Sequence, residues 1–238
     1  MRIVIIANGD PPTKDDAARW LSDGAVLICA DGGARTALAL GLAPAHVIGD
    51  FDSLSEAELH ELERRGACLH RHPARKDETD LELALLLAAR PATAHGGKPG
   101  EKVEIVVLGA RGGRLDHELA NMLLLAMPAL KGVDVWLAHD CERAFLLDAR
   151  DHPAQVTLRG RAGDVVSLLP FGGDAHGIRT TGLEYPLHDE SLFVGPARGV
   201  SNVMLGDEML TGGIFLDRRS AAQRIRDISK RYGLEVDP

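Results

Sequence analysis

The sequence has little cysteine, and its few cysteines are scattered. Three occur in 238 residues, at Cys29, Cys68 and Cys141. An odd, unclustered set fits neither a disulfide framework nor a zinc site. The sequence therefore predicts three buried thiols in a reducing compartment.

Long apolar runs are also missing. No segment approaches the roughly 18 apolar residues that a membrane-spanning helix needs. The first ten residues, MRIVIIANGD, hold one arginine and too short an apolar stretch for a signal peptide. We expect a cytoplasmic protein with no membrane partner.

The sequence has fewer basic residues than acidic ones, 27 against 35. The formal net charge is -8 and the isoelectric point is near 5.7. Such a balance argues against a nucleic-acid partner and against binding to an anionic membrane surface. An anionic substrate must therefore be held by local features of a site.

Through the first 140 residues, short apolar runs alternate with helical patterns. The runs that predict strands are Arg2 to Ala7, Ala25 to Ala30, His46 to Asp50, Val103 to Gly109 and Val133 to His139. The segments that predict helices are Asp15 to Ser22, Gly33 to Leu40, Ser55 to Arg65, Glu78 to Arg90 and Leu115 to Met127. Ser55 before EAEL and Asp77 before ETDLELALLLA are predicted to be helix caps. This alternation predicts an α/β domain over residues 1–140 with a mostly parallel sheet, covered on both faces.

The pattern changes after residue 140. Short apolar runs such as AFLLDA, AQVTLRG and HGIRTTG are broken by glycine, proline or aspartate every 8 to 12 residues. This spacing predicts an all-β sandwich domain over residues 141–217. The remaining residues, 218–238, have mixed charge and helical character, which predicts a helical tail.

Five aspartates follow apolar runs or begin helices, in the segments ADGG, GDFDS and KDETD. They are Asp31, Asp50, Asp52, Asp77 and Asp80. Strand ends meet at the carboxyl edge of a parallel sheet, so we expect these side chains to converge there. Converging carboxylates repel one another unless a cation lies between them, and Mg²⁺ prefers such oxygen ligands. A single aspartate in such a place is more often a turn residue or a helix N-cap, but that explanation weakens for the whole set.

A glycine-rich loop, GARGGRLDH, follows another predicted strand and opens a helix near Leu115. Backbone N–H groups of such a loop and the helix N-terminus favour an anion, and Arg111 and Arg114 are suited to phosphate oxygens. The sequence has neither the Walker A pattern nor GxGxxG. His117, which follows on the helix, is equally explained as a cap or a packing residue.

Near the C-terminus, the segment GVSNVMLGDEM contains Ser201 and Asn202. Taken alone, these two residues are more simply explained by a hairpin turn.

Six segments occur in one order along the chain: ADGGA, GDFDS, KDETD, GARGGRLDH, GLEYPL and GVSN. Together they resemble the thiamine pyrophosphokinase family, also called thiamine diphosphokinases, from Asn8 to about Asp217. The resemblance implies an N-terminal α/β domain and a C-terminal β-sandwich. It also implies a homodimer whose active sites lie between the α/β domain of one subunit and the sandwich of the other.

The resemblance further implies Mg²⁺-dependent transfer of a pyrophosphoryl group from ATP to the hydroxyl of thiamine, giving thiamine diphosphate and AMP. The catalytic and metal-binding aspartates implied are Asp50, Asp52 and Asp80, with Asp31 and Asp77 binding the metal directly or supporting it. The residues implied to contact phosphates or the nucleotide are Lys76, Arg111, Arg114, Asp116 and His117. Ser201 and Asn202 are implied to face the pyrimidine of thiamine from the partner subunit.

Two other functions are compatible with these residues. One is a different Mg²⁺-dependent enzyme, such as a phosphohydrolase or a kinase for another small alcohol. The other is a nucleotide or thiamine sensor that binds without turnover.

The sequence also departs from one feature of the family. Some eukaryotic members have a tryptophan beside the Ser-Asn motif, whereas the neighbours here are Val200 and Val203.

Overall fold

The structure, a computed structural model, describes residues 1–21, 24–149 and 154–216, the last five of these by backbone alone. The chain divides into two compact units, residues 1–146 and 147–238. The short strand Glu142–Ala144 pairs antiparallel with Asp134–His139, which keeps the chain in the first unit beyond residue 140. The predicted helical tail, 218–238, lies outside the described residues.

The first unit is a seven-stranded sheet with helices between its parallel strands. Its strands are β1 Arg2–Ile6, β2 Val26–Ala30, β3 His46–Gly49, β4 Cys68–Arg71, β5 Glu104–Leu108, β6 Asp134–His139 and β7 Glu142–Ala144. Its α-helices are α1 Lys14–Trp20, α2 Gly33–Ala39, α3 Glu56–Arg64, α4 Asp80–Ala88 and α5 Leu115–Leu124. The strand order is β4-β3-β2-β1-β5-β6-β7, and β7 alone runs antiparallel to its neighbour. The predicted α/β class is confirmed.

The central strands are apolar at nearly every position because both faces of the sheet are covered. Ile3, Ile5 and Ile28 point to one face and pack with Leu85 and other residues of α4. Val4, Ile6, Leu27 and Cys29 alternate with them and point to the opposite face, which is covered by α2 and α3. Two cores on opposite faces fix the register of every central strand.

The order of the strands reverses at β1, which pairs in parallel with β2 on one side and with β5 on the other. Open α/β sheets bind ligands outside the carboxyl ends of their strands at such a switch point. The ends of β1, β2, β3 and β5 are therefore where a site is expected.

The second unit contains two antiparallel sheets. Its strands are β8 Ala154–Arg159, β9 Val165–Val166, β10 Ala175–Thr181, β11 His188–Leu192, β12 Asn202–Val203 and β13 Glu208–Leu216. The larger sheet has the order β11-β10-β13-β8, and the smaller pairs β12 with β9. Leu183, Met204 and Met209 form a buried cluster against Leu158 of the larger sheet and Val166 of the smaller one. The predicted antiparallel β class is confirmed, although residues 145–149 of the AFLLDA run form no strand.

Local predictions about helix ends had mixed outcomes. Ser55 caps α3, and Glu58 returns a hydrogen bond to its backbone, so the predicted cap is part of a full capping box. The predicted cap at Asp77 is wrong, because Thr79 caps α4 by accepting from the N–H of Glu82 at 3.1 Å. Among the helices of the described residues, none combines the length and apolar character needed to cross a membrane.

The cysteine prediction is correct for one residue of three. Cys29 is buried in the sheet, and burial raises the pKa of its thiol. Cys68 and Cys141 are exposed free thiols, because they lie at the edge strand β4 and in the turn between β6 and β7.

Candidate active site

Three of the predicted aspartates meet at the carboxyl edge of the sheet. Asp31 follows β2, and Asp50 and Asp52 follow the neighbouring parallel strand β3. One carboxylate oxygen from each lies within 4.8 Å of the others. The convergence predicted from the sequence is thus present for these three residues, and their oxygens form a donor set suited to a hard divalent cation.

Asp31 is the buried member of this group and is held rigidly. Its backbone is left-handed, with φ 41°, and its N–H donates to the carbonyl of Ile48 at 2.9 Å. The Ser53 hydroxyl donates to its Oδ2 at 2.6 Å, whereas the buried Oδ1 has no hydrogen-bond partner among the described residues. A buried carboxylate oxygen without a donor is costly, so Oδ1 of Asp31 is placed to receive a ligand.

Close backbone approach allows Asp31 to sit here. A Cβ at Gly49 would lie 3.0 Å from Cβ of Asp31, tighter than ordinary packing permits. The absence of that side chain lets the end of β3 pass beside the turn after β2. Gly49, the glycine of the segment GDFDS, therefore allows the acidic residues to lie close together.

The loop after β3 brings Asp50 and Asp52 together by a turn. Phe51 between them is buried and has φ 67°. The N–H of Asp52 donates to Oδ1 of Asp50 at 3.1 Å, and Arg71 donates to the Asp50 carbonyl at 3.1 Å. The Arg71 guanidinium also lies 4.8 Å from the centre of the Phe51 ring. These contacts fix both carboxylates in a tight loop.

A second arginine fixes the other end of this loop. Arg35 of α2 donates to the carbonyl of Ser53 and pairs with Oε1 of Glu58 at 2.8 Å. The Arg35 guanidinium, with Ser55, lowers the pKa of Glu58 to about 2. The capping box of α3 and the acidic loop are thus parts of one hydrogen-bonded network.

Asp80 begins α4 and lies near the group without belonging to it. Burial raises the pKa of Asp80, and Asp31 and Asp50 raise it further, while Lys76 opposes the change. Nζ of Lys76 lies 3.0 Å from Oδ1 of Asp80. Asp77 is exposed and is not among the three grouped carboxylates.

The electrostatics of the group show repulsion between its members. The neighbouring carboxylates of Asp50 and Asp31 raise the pKa of the exposed Asp52. A raised carboxyl pKa means that the folded state disfavours the ionised form. A bound cation would remove this penalty.

The glycine-rich loop after β5 lies at the switch point, against the loop after β1. The N–H of Gly9 donates to the carbonyl of Gly109 at 2.9 Å, and the N–H of Asp10 donates to that of Arg111 at 2.6 Å. A Cβ at Gly9 would lie 2.0 Å from the Arg111 carbonyl oxygen. The two loops can meet only because that side chain is absent.

Both arginines of this loop are exposed and paired with acids. Arg111 pairs with Glu142 of β7. Nε of Arg114 donates to Oδ1 of Asp116 at 3.0 Å, and Asp116 also accepts from the N–H of His117. Arg114 is the N-cap of α5 and makes no side-chain capping hydrogen bond, and the first turn of the helix holds the acids Asp116 and Glu118. His117 is exposed there.

Sequence reasoning missed three residues that shape this edge: Asn8, Asp10 and Glu118. A Cβ at Gly32 would lie 2.2 Å from Oδ1 of Asn8, and one at Gly112 would lie 2.1 Å from Oδ1 of Asp10. Glu118 accepts from the N–H of Gly112. The polar run NGD directly after the first strand was the available signal, because β1 ends at the same edge.

The two residues predicted to contact substrate in the second unit have different surroundings. Asn202 is buried, its Oδ1 accepts from the N–H groups of Tyr185 and Val203, and its Nδ2 donates to the Tyr185 carbonyl at 2.7 Å. Ser201 is exposed, with φ 59°, and its N–H donates to Oγ of Ser167 at 3.1 Å. Asn202 therefore joins the GVSN and GLEYPL segments, while the Ser201 side chain faces solvent.

An acidic group and a glycine-rich loop at one edge of a parallel sheet are typical of proteins that handle phosphorylated ligands. Residues 17–137 match the family model for the thiamin pyrophosphokinase catalytic domain. Residues 152–211 match the model for the thiamin pyrophosphokinase vitamin B1 binding domain. The two matched segments fall in the first and second units respectively.

Whole-chain comparisons agree with these matches. Thiamine pyrophosphokinase from Bacillus subtilis is 31% identical over 227 residues, covering 92% of this chain and 98% of the relative. Thiamine pyrophosphokinase 1 from rice, Oryza sativa subspecies japonica, is 27% identical, covering 86% of this chain and 88% of its own. The chain belongs to the thiamine pyrophosphokinase family, which is a family of kinases and hence of transferases.

Solved structures share the fold. The crystal structure of thiamine pyrophosphokinase from Bacillus subtilis aligns with a TM-score of 0.73 at 26% identity, covering 91% of this chain and 95% of that one. The yeast thiamin pyrophosphokinase structure aligns with a TM-score of 0.67 at 19% identity, covering 90% of this chain and 86% of that one. At this lower identity, the similarity to the yeast structure shows a shared fold and nothing more.

The repulsion at Asp52 gives a prediction that separates folding from metal binding. Without divalent cations, Asp52→Asn should be at least as stable as the wild type at neutral pH, because it removes an ionised group whose folded-state pKa is raised. Mg²⁺ at about 100 times its Kd should stabilise the wild type by about 2.7 kcal/mol, and the variant by much less. Urea unfolding followed by tryptophan fluorescence measures this, since Trp20 and Trp136 both lie in the first unit.

The control for this experiment is Asp134→Asn, an exposed aspartate at the start of β6, on the opposite edge of the sheet. It should keep the full response to Mg²⁺. Full stabilisation of Asp52→Asn by Mg²⁺ would contradict the assignment of this carboxylate to a cation site.

Proposed function

We propose that the chain is an ATP-dependent diphosphotransferase that converts thiamine to thiamine diphosphate, with AMP as the second product and Mg²⁺ as cofactor. Membership of the thiamine pyrophosphokinase family supports this activity, and so does the match of the second unit to a vitamin B1 binding domain. The site residues of the first unit supply the chemistry that such a transfer needs.

The observation that carries the proposal is the acidic group beside the glycine-rich loop. Asp31, Asp50 and Asp52 offer carboxylate oxygens within 4.8 Å of one another, and Oδ1 of Asp31 is buried without a hydrogen bond. An all-oxygen donor set with surplus negative charge fits Mg²⁺ and not a softer ion. When bound, the ion supplies the positive charge that lets an anionic polyphosphate approach these carboxylates.

In the proposed reaction, the thiamine hydroxyl oxygen forms a bond to the β-phosphorus of ATP. The bond from that phosphorus to the oxygen bridging the α-phosphate breaks, AMP leaves with that electron pair, and the hydroxyl proton is released. Negative charge on the phosphates must be neutralised throughout this transfer. The chain must therefore hold cationic groups and N–H donors against the polyphosphate.

The cations proposed for this role are Lys76, Arg111 and Arg114. Lys76 already lies beside Asp80, which would keep its ammonium group near the metal site. Arg111 and Arg114 are held at the loop by Glu142 and Asp116, and we propose that phosphate oxygens of ATP replace these acids as partners. Asp116 thereby positions Arg114 before the nucleotide binds, and His117 at the same helix start is proposed to contact the nucleotide.

For thiamine, we propose that Ser201 and Asn202 act differently. The Asn202 amide is engaged with the backbone of Tyr185 and Val203, so it stabilises the turn. Ser201 occupies the exposed, left-handed position of that turn, and its hydroxyl is proposed to contact the pyrimidine of thiamine.

We also propose a homodimer, as the family resemblance implies. One feature supports a protein partner: α5 exposes Leu115, Leu119, Met122 and Leu123, which recur on one side of the helix. Contiguous exposed apolar side chains commonly mark interaction surfaces.

The cytoplasmic location expected from the sequence stays a prediction.

The activity is tested by incubating the purified protein with Mg²⁺-ATP, with and without thiamine, and separating the products by chromatography. We expect AMP and thiamine diphosphate in equal amounts, only when thiamine is present. Asp50→Asn should lower turnover at least about 100-fold, whereas Asp134→Asn should not change it. Formation of ADP, or nucleotide hydrolysis without thiamine, would contradict the proposal.

A second experiment tests the phosphate role of Arg114. Arg114→Ala should raise the KM for ATP about tenfold, because a charge-assisted hydrogen bond is lost, and should leave the KM for thiamine unchanged. Arg64→Ala, an exposed arginine paired with Glu61 on α3, is the matched control. A variant in which only the KM for thiamine changes would show that Arg114 does not bind the nucleotide phosphates.

A further inference from the structure

A second group of potential ligands lies at the opposite, amino-terminal end of the same sheet. His46 is the first residue of β3, while Cys68 and His70 belong to the edge strand β4. Nitrogen atoms of the two imidazoles and Sγ of Cys68 all lie within 4.8 Å of one another. None of these residues takes part in the site at the carboxyl edge.

The register of the two strands explains why the three side chains meet. His46 is the direct partner of Cys68 in the parallel pairing of β3 with β4. Side chains two residues apart in a strand point to the same face, so His70 joins Cys68 on that face. This group is not visible as a motif, because His46 and Cys68 are 22 positions apart in the sequence.

The two imidazoles already share a contact that a metal ion could replace. Nδ1 of His46 lies 3.1 Å from Nε2 of His70, so one hydrogen bond at most connects them. Burial lowers the pKa of both histidines, and the neighbouring His70 and Arg90 lower that of His46 further. Neutral imidazole is the form that binds metals.

A third histidine stands beside the pair. The His95 ring is 6.3 Å from that of His46, measured between centroids, and both of its nitrogens are buried without a hydrogen bond of normal geometry to the part of the chain that the structure describes. The carbonyls of Leu87 and Ala88, in the last turn of α4, favour its charged form, but burial outweighs them and lowers its pKa. Three imidazoles with lowered pKa values thus cluster beside the exposed Cys68.

We propose that His46, Cys68 and His70 bind a divalent transition metal ion of the Zn²⁺ type. Two imidazoles and a thiolate are ligands that Zn²⁺ and Co²⁺ prefer and Mg²⁺ does not. A fourth position stays open to water or to His95. The spacing of the cysteines alone does not indicate this site, because its ligands come from two neighbouring strands.

Such an ion would connect β3 to the edge strand β4. β4 is four residues long and pairs with β3 alone. Its neighbour β3 leads directly into the acidic loop at the other end of the sheet, so the ion would stabilise the strand that carries Asp50 and Asp52. The two ends of the sheet thereby select different ions by ligand type.

The test is a Co²⁺ titration of the full-length protein after removal of metals with a chelator. The wild type should bind one Co²⁺ per chain and develop the near-ultraviolet charge-transfer band of a thiolate-cobalt bond. Cys68→Ser should lose this band, whereas Cys141→Ser, the matched exposed cysteine, should keep it. His70→Ala should weaken Co²⁺ binding at least about tenfold, and the exposed His60→Ala should not.

Two further measurements separate this site from the proposed active site. Asp50→Asn should keep the thiolate band, and excess Mg²⁺ should not remove it. Zn²⁺ should raise the midpoint of thermal unfolding of the wild type but not that of His70→Ala. A wild-type spectrum without a thiolate band, or loss of the band in Cys141→Ser alone, would overturn the proposal without bearing on diphosphotransferase activity.

Discussion

Repulsion among a few carboxylates at one edge of a parallel sheet is the constraint on which this protein depends. Asp31, Asp50 and Asp52 are brought within 4.8 Å of one another, and the pKa of Asp52 is raised as a result. The fold tolerates this because two apolar cores, one on each face of the sheet, fix the strands that carry them. Stability in those cores is what holds these like charges together, and a bound cation would relieve their repulsion.

Glycines and arginines position the loops that surround these carboxylates. Glycines permit the loops after β1, β2, β3 and β5 to approach so closely that side chains at Gly9 or Gly49 would collide with neighbouring atoms. Arg35 and Arg71 hold the acidic loop through backbone carbonyls, which leaves its carboxylates free for ligands. The two arginines thus stabilise the loop through its backbone, while the carboxylates of the loop face the site.

Much of this could be predicted from sequence because the signals are local. Continuous apolar runs mark the buried strands, and aspartates at their ends mark the edge where the site forms. The parts that sequence missed depend on tertiary contacts: β4 is an edge strand without an apolar run, Thr79 and not Asp77 caps α4, and Asn202 is engaged in backbone hydrogen bonds. The pairing of His46 with Cys68 likewise exists only through strand register.

The central claim is that the carboxyl edge binds Mg²⁺ and the ATP polyphosphate together. A crystal structure of the protein with Mg²⁺ and a non-hydrolysable ATP analogue tests it most directly. The account predicts a Mg²⁺ ion contacted by carboxylates of the group Asp31, Asp50 and Asp52, with the phosphates against residues 109–114. A nucleotide bound elsewhere on the chain, or a metal ion contacted by none of these aspartates, would contradict it.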